Sequence, residues 1–420
     1  MSYKNKLSTD FFVNNRNRLL ELLSEGSLAL LCADRPVIRS ADQKHDHFAD
    51  RSFFYMSGIE QEEAILLLYR NEECSRQVLF IPATDSMHER WNGHRLSREE
   101  AAAASGIDEI LYLDSFEGML ADIFASEKPS YVWFDKSAPG QQASSLRQLM
   151  LELVHRQAQA PAQMLRDLSP LLIQLRMIKS QEELDLIRAA TGLTLEGILA
   201  MMRAVKPGVF EYQLLSEFEY TLAQAGCLKP AFPTIVAAGD NALCLHYMTP
   251  FDQAEAGELI QIDLGAEVGG LCADISRVLP VDGRFSPRQL ELYELVRACQ
   301  EEAFAIIKPG IKIVDINTAC RKVAAEGLRR MGLLKQDTDV VEYFWHGVSH
   351  HLGLDVHDIS HKEAVLQPGM VLTVEPGIYI PEWSMGMRIE DDVAVTENGC
   401  RLLSAAIPRE AHEIELLMQS

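Results

Sequence analysis

The spacing of apolar and polar positions changes several times along this chain, and each change marks an element. Residues 11–25 carry apolar side chains at helical spacing, and 27–32 follow as an unbroken apolar run, the mark of a buried strand. The strand signal returns at 63–69, 77–81 and 131–134, with helical stretches between. One of these, 97–105, opens with Ser97-Arg-Glu-Glu100, the capping-box pattern. Strand alternating with helix predicts an α/β domain over residues 1–165, with 161–170 as the link to a second domain, 172–420. There, 181–202 reads as an amphipathic helix stopped by Lys206-Pro-Gly208, and 210–225 as a second helix closed by Gly226. A strand-rich block covers 232–281. The order then repeats: a helix at 287–307 stopped by Lys308-Pro-Gly310, a helix at 313–331 closed by Gly332, and strands from 371 to 395. The repetition predicts an α+β domain with an internal duplication, its two similar halves facing each other.

Within the first strand block, 259–279 has two apolar arms on either side of Gly269-Gly270, a hairpin signal. Asp263 and Asp274 lie well inside the arms. Their indices sum to an odd number, as opposed residues do across an even-length loop, so both carboxylates fall on one face. Opposed or diagonal positions hold their Cβ atoms roughly 5–8 Å apart. Two carboxylates on an apolar hairpin repel each other and lose hydration, and a cation between them removes both problems.

Composition narrows the classes. The chain has 420 residues, 47% hydrophobic, enough for two domains with cores of their own. A formal net charge of −22 with no long basic run argues against a nucleic-acid partner. No apolar run is long enough to span a bilayer, and the polar start leads into no signal-peptide core, so a cytoplasmic protein is expected. The eight cysteines (Cys32, Cys74, Cys227, Cys244, Cys272, Cys299, Cys320, Cys400) include no Cys-x-x-Cys pair and read as buried free thiols.

The second half adds ligand candidates. Residues 346–358 are dense in imidazole, Glu375 lies within the apolar run 371–380, and Glu390 within 386–395. A carboxylate in an apolar strand needs a partner. For Glu390 alone that partner could be Arg388, two residues earlier on the same strand face, and for His350 alone a structural, hydrogen-bonded role serves as well. His351 and His361 keep that structural reading. As a set, Asp263, Asp274, His350, Glu375 and Glu390 form a hard, oxygen-rich ligand field of more side chains than one catalytic metal takes. Two metals clamping a water fit better, which points to a hydrolase of carbonyl or phosphoryl substrates.

These five residues stand in the order and local contexts of the pita-bread metallopeptidases, a family that includes methionine aminopeptidase, prolidase and aminopeptidase P. The run Ser349-His-His-Leu-Gly-Leu-Asp-Val-His-Asp358 resembles the aminopeptidase P branch. So does Ser40-Ala-Asp42 followed by Asp50-Arg-Ser-Phe-Phe-Tyr-Met-Ser-Gly58. The resemblance covers nearly the whole chain and implies a pita-bread catalytic domain of pseudo-two-fold symmetry holding two divalent metal ions, manganese foremost. By position, Asp263 would chelate one metal and Asp274 and Glu390 would bridge both. His350 would complete one shell, and Glu375 would bind metal and shuttle a proton. His246 matches a histidine that steadies substrate or the tetrahedral intermediate, His357 its partner on the opposite side, and Arg388 an arginine near the ligands. Phe232, His346, Val356 and Tyr379 match positions around a proline pocket. His351 departs from the branch, which has an aromatic residue there.

The activity implied is hydrolysis of the bond between an N-terminal residue and a following proline. A homodimer or homotetramer is implied as well, in which the first domain restricts substrate and a neighbour's Trp91, from Glu89-Arg-Trp-Asn-Gly93, borders the site mouth. Packing of Trp91 within its own domain is the alternative. Two other functions stay open: a prolidase confined to Xaa-Pro dipeptides, and a metal-free pita-bread binding module, which the intact ligand set disfavours.

Overall fold

Helix α1 (Thr9–Leu22), capped by the Ser8 hydroxyl accepting from the Phe11 amide, leads into β1 (Ser27–Cys32), every residue of which is buried. The structure is a computed structural model that describes residues 6–45, 47–71, 75–136, 145–158, 164–361 and 363–419. The chain divides into two compact units, Leu7–Arg176 and Met177–Ser420.

In the first unit a small hairpin, β2 (Ile38–Ser40) and β3 (Gln43–Lys44), precedes α2 (Arg51–Ser57). Then come β4 (Ile65–Arg70), β5 (Ser75–Ile81), α3 (Ser86–Asn92), α4 (Arg98–Ser105), β6 (Glu109–Tyr112), α5 (Phe116–Ser126), β7 (Tyr131–Phe134), α6 (Ser145–Ala158), β8 (Leu165–Asp167) and α7 (Ser169–Met177). Six strands make one sheet in the order β6-β5-β4-β1-β7-β8, with β1 parallel to β7 and antiparallel to β4. Phe116 and Leu120 of α5 and Met150 and Leu153 of α6 pack on Leu28, Leu67 and Phe80 of this sheet. Ser97 and Glu100 form the expected capping box. Arg16, fully buried on α1, donates to the Met56 and Ser105 carbonyls at 2.7 Å each, a cation placed on the last turns of α2 and α4.

The expected link differs from what is found. Leu165 to Asp167 pair with Val132 to Phe134 as the sheet's edge strand, and the first unit runs on to Arg176. Three residues are too few to show a period, and flanking prolines read as a connector. Residues 161–163 lie outside the described residues.

In the second unit, α8 (Gln181–Ala204) and α9 (Glu211–Gln224) precede β9 (Ile235–Ala238), β10 (Leu259–Leu264), β11 (Glu267–Val268), β12 (Leu271–Cys272) and β13 (Ile275–Pro280). The second half repeats the plan with α10 (Pro287–Ile306), α11 (Ile313–Arg330), β14 (Val371–Val374), β15 (Gly377–Ile380), β16 (Met385–Arg388), β17 (Asp391–Val395) and β18 (Cys400–Leu402), and α12 (Ala411–Met418) closes the unit. Each half has a packed helix pair and a three-stranded sheet, β13-β10-β9 in the first and β14-β17-β18 in the second. The duplicated pita-bread plan is therefore present.

The hairpin keeps one register from end to end, Leu259 opposite Pro280, Asp263 opposite Ser276, and Val268 opposite Leu271. Gly269 and Gly270, at φ +61° and +85°, form the two-residue turn, which requires positive φ at both positions. Pairing is interrupted beside Asp274, where Gly265 and Ala273 come so close that a Cβ on Gly265 would lie 1.7 Å from the Ala273 carbonyl oxygen.

The seven described cysteines are free. Five are buried and Cys400 is half-buried, but Cys244 is exposed in the surface loop before His246, and Cys74 lies outside the described residues. Among the described residues, no helix is long and apolar enough to cross a membrane.

Candidate metal centre

Asp263 projects from β10, the central strand of its sheet, and Asp274 from the break before β13. Glu375 follows β14, and Glu390 sits between β16 and β17. His350 comes from a loop laid along β14: the Thr373 amide donates to the His350 carbonyl at 3.0 Å, and the Glu375 amide to that of Val348 at 2.9 Å. The His350 amide in turn donates to Thr373 Oγ1 at 3.2 Å.

These elements converge. One ligand atom from each of Asp274, His350 and Glu390 lies within 4.8 Å of the other two. His350 Nε2 is 3.4 Å from Asp274 Oδ2 and 3.5 Å from Glu375 Oε1. The other ring nitrogen, Nδ1, is 3.1 Å from the His351 carbonyl and must carry the proton to bond it. In the neutral ring Nε2 then has its lone pair towards the carboxylates.

Arg388 does not pair with Glu390. Its Nη2 donates to Asp263 Oδ2 at 2.7 Å, Nε to Ser276 Oγ at 3.0 Å and Nη1 to the Tyr379 hydroxyl at 2.9 Å. Glu390 Oε2 accepts instead from Ser276 Oγ at 2.8 Å. The chain leaves the strand between Arg388 and Asp391, so the same-face argument fails for these two side chains. The Tyr379 hydroxyl also meets His346 Nε2 at 2.8 Å, and His346 Nδ1 is 3.5 Å from Glu375 Oε2.

Asp274 and Glu390 are both buried, and desolvation pushes both carboxyls well above the usual range, reinforced at Asp274 by Asp263, Asp392 and Glu375 and at Glu390 by Asp274, Glu375 and Asp263. Burial lifts Glu375 to about 7 against the pull of His350 and Arg388. His346 falls to about 4 through burial and the Arg388 charge, so it is neutral at ordinary pH. Asp263 Oδ1 is buried with no hydrogen-bond partner. Crowded, desolvated carboxylates, an oxygen without a donor and an imidazole nitrogen facing them are what a pair of hard divalent cations requires. The residues present fit such a group.

Around the ligands, the His357 ring stands edge-on to that of His350, centroids 4.2 Å apart. His246 lies in an exposed loop near both His346 and His357, whose pKa values fall chiefly through burial and then through Arg388 and His350 respectively. Phe232 and Val356 are half-buried, and the Phe232 ring reaches to within 3.3 Å of the space above Gly265. Tyr379 is fully buried. Trp91, on α3 of the first unit, is 82% exposed and so does not pack within its own domain. His351 is buried but neither ring nitrogen has a hydrogen-bond partner, so a hydrogen-bonded role does not hold for it; His361 is exposed.

Sequence reasoning missed Ser276, Thr373 and Gln261, whose Oε1 accepts from the Arg388 amide at 2.7 Å. Period two could have found them, since Ser276, Thr373 and Gln261 stand two residues from Asp274, Glu375 and Asp263.

Known proteins resemble this chain in sequence and fold. The sequence profile of metallopeptidase family M24 matches residues 185–397, and that of the aminopeptidase P N-terminal domain matches 12–133. The Xaa-Pro aminopeptidase of Escherichia coli K12 is 33% identical over 439 aligned positions, covering 98% of each chain. The human Xaa-Pro dipeptidase is 27% identical, with 98% of this chain and 94% of that one covered. A structure of zinc-substituted E. coli aminopeptidase P in complex with product superposes with a TM-score of 0.91 at 32% identity, covering 99% of both chains.

Proposed function

The chain belongs to metallopeptidase family M24, and from that premise we propose how its residues carry out the reaction. It is a metal-dependent aminopeptidase that hydrolyses the bond between an N-terminal residue and a following proline. The observation that carries the residue assignment is the convergence of Asp274, His350 and Glu390 on one point within reach of Asp263 and Glu375. These five side chains would hold two divalent cations, manganese in our reading of so oxygen-rich a set, which would supply Lewis acidity and make water more acidic.

Glu375, whose carboxyl burial lifts to about 7 in the metal-free chain, takes a proton from the attacking water and returns it to the proline nitrogen, which cannot leave as an anion. His246 and His357, on the exposed side of the ligand set, orient the scissile carbonyl and donate to its oxygen as charge develops. Arg388 holds Asp263 and the Tyr379 hydroxyl in place. His346, Tyr379, Phe232 and Val356 receive the proline ring.

The first domain restricts substrate and assembles the protein as a homodimer or homotetramer, in which Trp91 of a neighbouring subunit borders the mouth. The exposure of Trp91 supports this. Free thiols suit a cytoplasmic setting.

The test is a panel of Xaa-Pro dipeptides, Xaa-Pro-Yaa tripeptides and longer peptides with manganese added. Tripeptides and longer peptides should be cleaved at least as efficiently as dipeptides, and peptides without proline in second position should resist. Cleavage confined to dipeptides would make the chain a prolidase.

A further inference from the structure

Glu211 opens α9 and is 1% exposed, yet no cation meets its carboxylate in the contacts that hold it. Oε1 accepts from the Ala238 amide at 2.8 Å and from Asn241 Nδ2 at 2.9 Å. Oε2 accepts from the Tyr247 hydroxyl and from the Asp252 amide, both at 3.1 Å. Asn241 Nδ2 also lies 2.9 Å from the Tyr247 hydroxyl and 2.9 Å from Asp252 Oδ2. One buried carboxylate thus joins the end of β9, the turn after it, and two points on the segment 247–252.

His246 immediately precedes Tyr247 and is exposed. A surface loop of this kind samples many arrangements unless something fixes its backbone. Here Tyr247 is drawn down onto Glu211 on one side of His246, and Asn241, five residues before it, onto the same group on the other. We propose that Glu211 is a positioning residue for His246: its carboxylate holds the loop so that the imidazole meets the scissile carbonyl. This rests on the role assigned to His246 above.

Only a carboxylate serves all four donors. A glutamine has one accepting oxygen, and whichever way it turns its NH2 would face the Ala238 or the Asp252 amide, which cannot accept. Glu211→Gln should therefore loosen the loop without reaching the five ligand side chains, none of which is among its partners. Tyr247→Phe removes a single link and leaves the helix start untouched.

Each change is made in the otherwise unaltered protein and in His246→Ala, and kcat, KM and bound manganese are measured. Glu211→Gln should lower kcat about tenfold and change KM less than about twofold, and in the His246→Ala background its effect should shrink to under about twofold. Bound manganese should stay unchanged. Tyr247→Phe should lower kcat about threefold and lose that effect in the same background. Should Glu211→Gln fail to fold, the Tyr247→Phe cycle decides alone. Equal factors in both backgrounds, or loss of manganese with either variant, would overturn the proposal and leave His246 where it stands. Full turnover by His246→Ala would overturn the role of His246 and the positioning proposal with it.

Discussion

The two halves of the second unit share a plan but divide the chemistry unequally. The first half delivers Asp263 and Asp274 from a single hairpin held in one register. The second delivers His350, Glu375 and Glu390 from a loop and two strand ends. Asp263 alone of the five stands in a paired strand, and the other four come from less regular backbone. Each half also supplies what the other's carboxylates need. Arg388 of the second reaches Asp263 of the first, Ser276 of the first reaches Glu390 of the second, and the Asp274 amide donates to Asp392 Oδ2 at 3.2 Å. A ligand set divided in this way exists only when both halves are folded against each other.

The comparison breaks most directly if one half's ligands suffice. Asp274→Asn and Glu390→Gln, one from each half, should each lower activity by more than about 100-fold and reduce bound manganese together with it. In the metal-free protein both should raise Tm, because each removes one of two buried carboxylates that repel each other. Retained metal and activity in either variant would end the two-half account.

Arg388→Met tests the first cross-contact. It leaves Asp263 buried without its cation and should destabilise the metal-free protein by about 3–5 kcal/mol, measured by urea unfolding. Manganese should recover part of this, since the ions would replace the lost charge. An undiminished deficit at saturating metal would mean that Arg388 serves packing alone.

A third test uses pH. The Glu375 carboxyl is raised from 4.5 to about 7 in the folded chain, so the metal-free protein is undisturbed by it below about 4.5 and loses stability as pH rises through about 7. Glu375→Gln removes that dependence. The variant's advantage over the unaltered metal-free protein should grow by about 3 kcal/mol across this window and then level off. An advantage that does not change with pH would show that Glu375 titrates normally.

The smallest effect belongs to Ser276→Ala, which removes the hydroxyl between Glu390 and Arg388. Manganese affinity should fall about tenfold while the fold survives, as isothermal titration would read. An unchanged affinity would confine Ser276 to the sheet.

How much of this could be read in advance depended on separation along the chain. The hairpin, the helices ended by Lys-Pro-Gly and the capping box at Ser97 are local, and their residues mark them. Four of the five proposed ligands were legible because each stands as a polar interruption in an apolar run, and His350 because it falls in the imidazole-dense stretch 346–358. The family resemblance, in turn, named the activity that the relatives carry. The partner of Arg388 was not legible, because Asp263 lies 125 positions away and only the packed halves bring the two together. The same holds for Ser276 and Glu390, 114 apart. Edge strand β8 was missed for want of length, and Cys244 because a thiol carries no mark of which loop it will occupy.

Gly265 donates nothing to the chemistry, yet a single methyl on it would collide with the Ala273 carbonyl between the two aspartates. Every coding change at that position adds at least a Cβ, so the ordinary steps of sequence drift are closed there. A saturation library ranked by fitness would place Gly265 beside Asp263 and Asp274, and a reader of the ranking alone would take it for a reactive group. What the fold requires at this position is one carbon atom fewer, because the Ala273 carbonyl already fills the place that atom would take.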